Sequence, residues 1–321
     1  MNETELGPTS DVLRLTAVVA RLYHVHGVRQ REIGARLGMS QARVSRLLRQ
    51  AEDLGIIRTV VAVPDGLRPE LEEAIERQFG LVEVHVVPVT APSPDLASVL
   101  GQAAARQLDD ALVSAETVGF TSWSLTLQAM AFALPAVPRT ATRHVVEMLG
   151  DLGSPARQHS AARSTQSLAT ALGAEPVFLR TPGVLTTSEL RDAMLRNEHV
   201  QRALGLLDDL DMAFVGVGPP AVHSQLQTGD NYFSPDQLAE VRGAGAVSQL
   251  NQRFLDEAGS PVPTSLDDLV VGCTLEQLAA ARRRVVVAGG ADKHLPIVAA
   301  LRGGWVDVLV TDLDTARLLV G

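Results

Sequence analysis

The sequence predicts an α/β protein in two parts. A small N-terminal helix-turn-helix domain, winged-helix-like, precedes a larger domain built on a doubly wound, largely parallel sheet. Three observations predict it. The run Gln30 to Leu48, QREIGARLGMSQARVSRLL, has the apolar spacing of two short helices around a glycine turn. From Leu81 onward, β-branched runs alternate with helical patterns, which favours parallel strands covered on both faces. Charge is also divided. Residues 11–58 carry nine Arg and four acids, net +5, whereas residues from Thr59 onward carry 19 bases and 31 acids, net −12. A cationic surface confined to one end is the electrostatic footprint of nucleic-acid binding.

Asp11 to His26 reads as a helix stopped by Gly27, with Leu13, Ala17, Ala20 and His24 near its inner face. A second helix spans about Gln30 to Leu37, and Gly38-Met39 turns the chain. Ser40 suits the cap of a third helix, which ends near Leu54 before Gly55. Ile56 to Val63 is rich in β-branched residues and reads as a strand. Pro64-Asp65-Gly66 marks a boundary, and Pro69 starts a linking helix that ends before Gly80. The expected division is 1–63, 64–80 and 81–321. Later strands are expected at Val82–Val87, Thr117–Thr121, His144–Leu149, Pro176–Leu179, Met212–Val217, Val285–Ala288 and Val306–Val310.

Composition narrows the function classes. Cys273 is the single cysteine, so an intrachain disulfide is ruled out and a reducing cytoplasm suits the chain. Met1 to Ser10 lacks the pattern of a signal peptide. Thr117 to Pro138 is uncharged, yet hydroxyl and amide side chains stud it and Pro135 and Pro138 end it. It reads as a strand, a loop and a buried helix, not a membrane span. His24 and His26 are two apart and do not share a helix face; neither a metal nor a cofactor is expected.

Within the helix-turn-helix, Ile33, Leu37, Val44, Leu47 and Leu48 point inward. The outward set on the second helix is Gln41, Ala42, Arg43, Ser45, Arg46 and Arg49, with Ser40 at its cap and Gln30 and Arg31 on the helix before. N-terminal residues of a recognition helix meet base edges in the major groove. Arg can pair with guanine and Gln with adenine. Arg29, Arg31 and Arg49 are placed for phosphates, which fix register without reading sequence. The partner expected is double-stranded operator DNA.

Two strand ends draw attention in the larger domain. Val118 to Thr126 places Ser122, Ser124 and Thr126 at the start of a helix. These hydroxyls suit either phosphate or sugar oxygens, or an ordinary N-cap cluster. Val285 to Lys293 runs through Gly289-Gly290 into another helix. Of the 28 basic residues, 27 are Arg, and Lys293 is the one Lys. A Gly-Gly turn lets backbone approach an anion, and Lys293 would supply a full charge there or form an imine with an open-chain sugar.

The chain resembles the SorC/DeoR-type sugar-binding transcriptional regulators over nearly its whole length. The matching stretches are QREIGARLGMSQARVSRLL, VGFTSWSLTLQAM, AEPVFLRTPGV, GAVSQLNQRFLDEAG and VVVAGGADKHLPIVAALRGGWVDVLVTDLDTARLL. The resemblance implies a C-terminal domain similar to sugar-phosphate isomerases and deaminases, a small sugar or sugar-phosphate effector, and a homodimer or homotetramer. It implies a pocket involving Ser122, Ser124, Thr126, the Gly150-Asp151 turn, Arg163 and Lys293. Ser248 and Gln249 stand where the family commonly has Gly-Asp or Gly-Glu, which removes one strong acceptor for sugar hydroxyls; Gln249, with Gly289 and Gly290, is still expected among the effector-binding residues. The stretch Thr228 to Asn231 reads one residue longer than the family's Ser-Gly-Asn. The alternative reading is a sugar-phosphate isomerase or deaminase carrying a DNA-binding domain. No carboxylate pair suited to general acid–base work is found, and Asp151 and Asp292 have plain roles at a turn and a helix start.

Overall fold

The computed structural model describes residues 10–57, 66–90, 92–93, 95–107, 114–137, 140–221 and 231–321. The chain divides into two units, Met1–Val63 and Pro64–Gly321.

Helices α1 (Ser10–His24), α2 (Gln30–Leu37) and α3 (Gln41–Asp53) build the first unit. Gly38 ends α2 at φ 66°, a left-handed conformation that suits a residue without Cβ, and its N–H returns to the Gly34 carbonyl. The Ser40 hydroxyl accepts from the Arg43 N–H and caps α3. Val19, Ile33, Val44, Leu47 and Leu48 form the core, with Leu37 half-buried at its margin. Truncating Ile33 to Ala there would cost about 2–5 kcal/mol. The inner face of α1 differs from expectation: Thr16, Val19 and Ala20 are buried, while Leu13 and His24 are exposed. Two apolar stripes compete on this helix. The bulkier one, Leu15, Val19 and Leu22, faces the core because it removes more area from water. The strand expected over Ile56 to Val63 lies almost wholly outside the described residues, as does most of the Pro64-Asp65-Gly66 turn.

In the second unit, α4 (Pro69–Phe79) precedes β1 (Glu83–Val87). Read from sequence as a linker, this helix is built into the second unit. Ile75 is fully buried in its core, and Glu76 and Glu72 accept from the backbone N–H groups of Val84 and Val86. The carboxylates thereby satisfy the open side of an edge strand.

The elements that follow are α5 (Leu96–Gln107), β2 (Thr117–Phe120), α6 (Leu125–Ala133), β3 (His144–Glu147), α7 (Pro155–Leu172), β4 (Glu175–Val177), α8 (Ser188–Leu195), α9 (Glu198–Gly205) and β5 (Met212–Val215). Then come β6 (Val217–Gly218), α10 (Pro235–Gly243), β7 (Ser248–Leu250), β8 (Arg253–Leu255), α11 (Leu275–Ala280), β9 (Arg284–Val287), α12 (His294–Arg302), β10 (Val308–Asp312) and α13 (Leu313–Val320). Seven parallel strands pair in the order β1-β10-β9-β5-β2-β3-β4. Alternate residues feed two cores, one on each face. Val286, Leu309, Ala213 and Val215 enter one; Val285, Val287, Val310 and Phe214 enter the other. Such two-sided burial explains the continuous apolar runs in the sequence.

From β2 the chain moves outward through β3 and β4, and from β5 it moves the other way through β9 and β10. The winding therefore reverses between β2 and β5. Immediately past β5, at Gly216, the chain leaves the large sheet. Val217, expected to prolong the parallel strand, belongs to β6 in a small antiparallel sheet with β7 and β8.

Candidate functional site

A cavity of about 450 Å³ opens at the carboxyl ends of β9, β5, β2 and β3. Open parallel sheets bind ligands at this kind of position, where the winding reverses. Each strand end supplies a part. After β2, Thr121, Trp123, Ser124 and Thr126 lead into α6, with the Ser124 hydroxyl accepting from the Leu127 N–H. Gln128, one turn on, donates to the Ser122 carbonyl and accepts from the Ser160 hydroxyl, which pins the loop. After β3 come apolar Leu149 and Leu152, then Arg157 in the first turn of α7. After β5 the wall is Gly216 to Pro219, and the β7–β8 hairpin adds Gln249, Asn251 and Gln252. Asp292 and Lys293 close the β9 side.

The cleft brings Arg157, Lys293 and Asp292 together with hydroxyl and amide side chains. Lys293 is half-buried, and burial holds its ammonium below the usual lysine range, with the Asp292 charge opposing the shift. Among the described residues, neither Lys293 nor the half-buried Arg157 forms an ion pair. Trp123 Nε1, Gln249 Oε1 and Asn251 Nδ2 are buried on residues that line the cleft, with no hydrogen-bond partner among the described residues. An unmatched buried polar atom costs about 1–3 kcal/mol.

Of the effector residues expected from sequence, Ser124, Thr126, Gln249 and Lys293 line the cleft. The others lie elsewhere. Ser122 is buried beneath the cleft wall. Gly150 and Asp151 form a backbone seam: the Gly150 N–H donates to Val271, the Asp151 N–H to Thr181, and the Gly183 N–H to the Asp151 carbonyl. A Cβ on Gly150 would stand 2.5 Å from the Thr181 carbonyl oxygen, so the glycine serves close approach of two chains. The Asp151 carboxyl is raised above its ordinary range by burial, with Arg180 opposing. Gly290 gives its N–H to the Asp312 carboxylate and borders a different cavity, beside Asp314, Thr315 and Leu318. Gly289 packs against the same carboxylate.

Arg163 is exposed, with its guanidinium 5.9 Å from the centre of the Phe132 ring. Six residues along an α-helix turn the side chain by about 600°, so Arg163 points about 120° away from the direction of Arg157. Of these two arginines of α7, Arg157 lines the cleft and the expected Arg163 does not. The signal that could have found Arg157 is local: Gly153-Ser154-Pro155 starts a helix right after a strand end, and Arg157 sits in its first turn. Asn251 carried a weaker one, as a residue tolerant of left-handed backbone in a short turn; it adopts φ 48°. The only cysteine, Cys273, is buried with its thiol pushed up to about 12, so it is no nucleophile.

In the first unit, α3 exposes Gln41, Arg43, Arg46 and Arg49, with Ser45 half-buried between them; Ser40 and Arg31 are exposed and Gln30 half-buried. Arg36 is paired with Glu32, whereas Arg31, Arg43, Arg46 and Arg49 form no ion pair among the described residues. Four unneutralised guanidinium groups thus surround the recognition helix.

A helix-turn-helix with a cationic outer face, joined to an α/β unit with a polar cleft at its switch point, defines a ligand-responsive DNA-binding regulator. Residues 67–321 match the sugar-binding domain family, and the chain belongs to the SorC/DeoR-type sugar-binding transcriptional regulators. It is similar to the sorbitol operon regulator of Klebsiella pneumoniae, 27% identical over 97% of this chain and 99% of that one. It is 28% identical to the deoxyribonucleoside regulator of Bacillus subtilis (strain 168), over 96% and 97% of the two chains. The solved structure of full-length SorC from Klebsiella pneumoniae matches 98% of this chain and 100% of its own, with a TM-score of 0.72 at 25% identity. The sugar-binding domain of a DeoR regulator from Pseudomonas syringae pv. tomato matches 79% of this chain and 100% of its own, at 31% identity and a TM-score of 0.61.

Proposed function

We propose that this chain binds operator DNA through Gln30, Arg31, Ser40, Gln41, Arg43, Ser45, Arg46 and Arg49, and that a phosphorylated sugar in the cleft changes that binding. The observation that carries the reading is the pairing of Lys293 and Arg157 with hydroxyl and amide side chains in one switch-point cleft. Two cations drawn from separate elements suit a phosphate; the amides and hydroxyls suit a sugar. The role of the site is binding. Effector control requires only that the ligand bind one conformation better than another. The reading includes a homo-oligomer on a two-fold related operator, since recognition helices commonly engage paired half-sites.

Selection of bound fragments from random DNA tests the operator half. A recurrent motif, lost on R46A, is expected; recovery of unrelated sequences, or an unchanged motif with R46A, contradicts it. Light scattering in solution reads the assembly, and a monomer that binds the operator at full affinity overturns the two-fold arrangement.

A further inference from the structure

We propose that Gln249 and Arg242 are positioning residues: their side chains clasp residues 219–221 into a wall of the cleft that is built before a ligand arrives, and this fastened wall sets the affinity for the organic part of the effector. On the sugar-effector reading, on which this rests, both residues act through the wall.

The sequence creates the need for such a clasp. Pro219 and Pro220 have no N–H, so the chain cannot prolong β6 by donating to β7 beyond Gly218. Gly218 pairs with Gln249, and there the ladder ends. The Ala221 N–H turns back onto the Pro219 carbonyl at 2.7 Å, a three-residue turn around buried Pro220. Side chains then take the carbonyls of this turn. Gln249 Nε2 donates to Pro219 at 2.7 Å and to Ala221 at 2.9 Å. Arg242, in the last turn of α10, donates to Pro220 at 2.8 Å. Three consecutive carbonyls are thus held by two side chains from separate elements. Carbonyl oxygens only accept, which fixes the Gln249 amide with its nitrogen toward the turn. Both hydrogens of that nitrogen are used, so Gln249 has no donor left for a ligand. Pro219 and Ala221 line the cleft, whereas Arg242 is exposed and lies outside its lining. A wall ordered in advance spares the ligand the cost of ordering it, so residues that make no ligand contact can raise affinity.

Thermal-shift titration of the full-length chain with glucitol 6-phosphate, glucose 6-phosphate, ribose 5-phosphate and inorganic phosphate finds the tightest sugar-phosphate probe, and isothermal titration of that probe reads the variants. R242M removes a donor at an exposed position outside the cleft, where a substitution ordinarily changes little. It is expected to weaken the sugar-phosphate probe by about tenfold, while inorganic phosphate, held by Lys293 and Arg157, binds as before. R242K keeps a donor for the Pro220 carbonyl and is expected to bind the probe within about twofold of wild type. Q249M should weaken the probe likewise, and Q249M/R242M should lose less than the sum of the two, because both act on one turn. Wild-type affinity in R242M, an equal loss for the sugar phosphate and inorganic phosphate, or the same loss in R242K overturns the proposal alone. A wild type that responds to no sugar probe overturns the sugar-effector reading and the proposal with it.

Discussion

The Gly290 N–H donates to the Asp312 carboxylate across 2.8 Å, so the glycine turn leading into Lys293 already holds an anion, and the anion is the chain's own. Asp312 is fully buried, and it also accepts from the Thr315 hydroxyl and from the N–H groups of Asp314 and Thr315. One carboxylate thus caps α13 and fixes the turn that aims Lys293 at the cleft. D312A strands these donors together and is expected to lower unfolding stability by about 2–4 kcal/mol in a urea titration. G289A should destabilise too, because its Cβ would stand 2.0 Å from the Asp312 Oδ2 atom. Wild-type urea midpoints in both variants would show that this turn is not held as described.

Glu147 gives a pH signature. Its carboxyl is buried at the end of β3, where it accepts from the Thr165 hydroxyl and the Leu179 N–H, each at 3.0 Å. Burial raises it from 4.5 to about 7, against the opposing pull of those bonds and of Arg180. The folded chain therefore keeps a proton that the unfolded chain releases near pH 4.5. The stability associated with that proton is fully present below about pH 4.5 and is lost as pH rises toward about 7, a change on the order of 3 kcal/mol. Asp151, raised from 3.8 by burial, acts in the same direction. E147Q should be stabilised relative to wild type by an amount that grows between pH 5 and 7, as read by denaturation at stepped pH; parallel curves would place the ionisation elsewhere.

Arg157 and Arg163 make a matched pair for effector binding. R157A should weaken a sugar-phosphate probe by about tenfold or more, the loss of one charge-assisted contact, whereas R163A should leave it unchanged. Isothermal titration reads both. The reverse order would restore the arginine chosen by resemblance.

How far these features were legible follows from their physics. The helix-turn-helix was readable because local signals agree: Gly38 needs a left-handed turn, Ser40 caps, and Val44, Leu47 and Leu48 keep helical spacing. The central parallel strands were readable because burial on both faces leaves unbroken apolar runs, as in Val285 to Val287. The small sheet was not, since β6, β7 and β8 are two or three residues long and β6 pairs with β7 across about thirty residues of chain. Lys293 was singled out as the one Lys of the chain, placed just after a Gly-Gly turn, and it lines the cleft. A sequence does not reveal that Asp312, more than twenty residues on from Gly289-Gly290, returns to take the Gly290 N–H.

On the recognition helix, the Arg46 side chain is exposed and donates to the Ala42 carbonyl one turn earlier. R46A should leave stability within about 0.5 kcal/mol of wild type, as surface substitutions do. Specific operator affinity should fall by about 1–3 kcal/mol if its fork pairs with a base. Fluorescence anisotropy at fixed salt separates this from a phosphate contact, because loss of a phosphate contact also flattens the salt dependence.

The most direct measurement of the whole account is anisotropy of a labelled operator fragment, titrated with protein in the presence and absence of the tightest sugar-phosphate probe. Wild-type affinity should shift by about fivefold or more with the probe, and K293M should bind the bare operator like wild type yet show no shift. A full response in K293M would contradict the account.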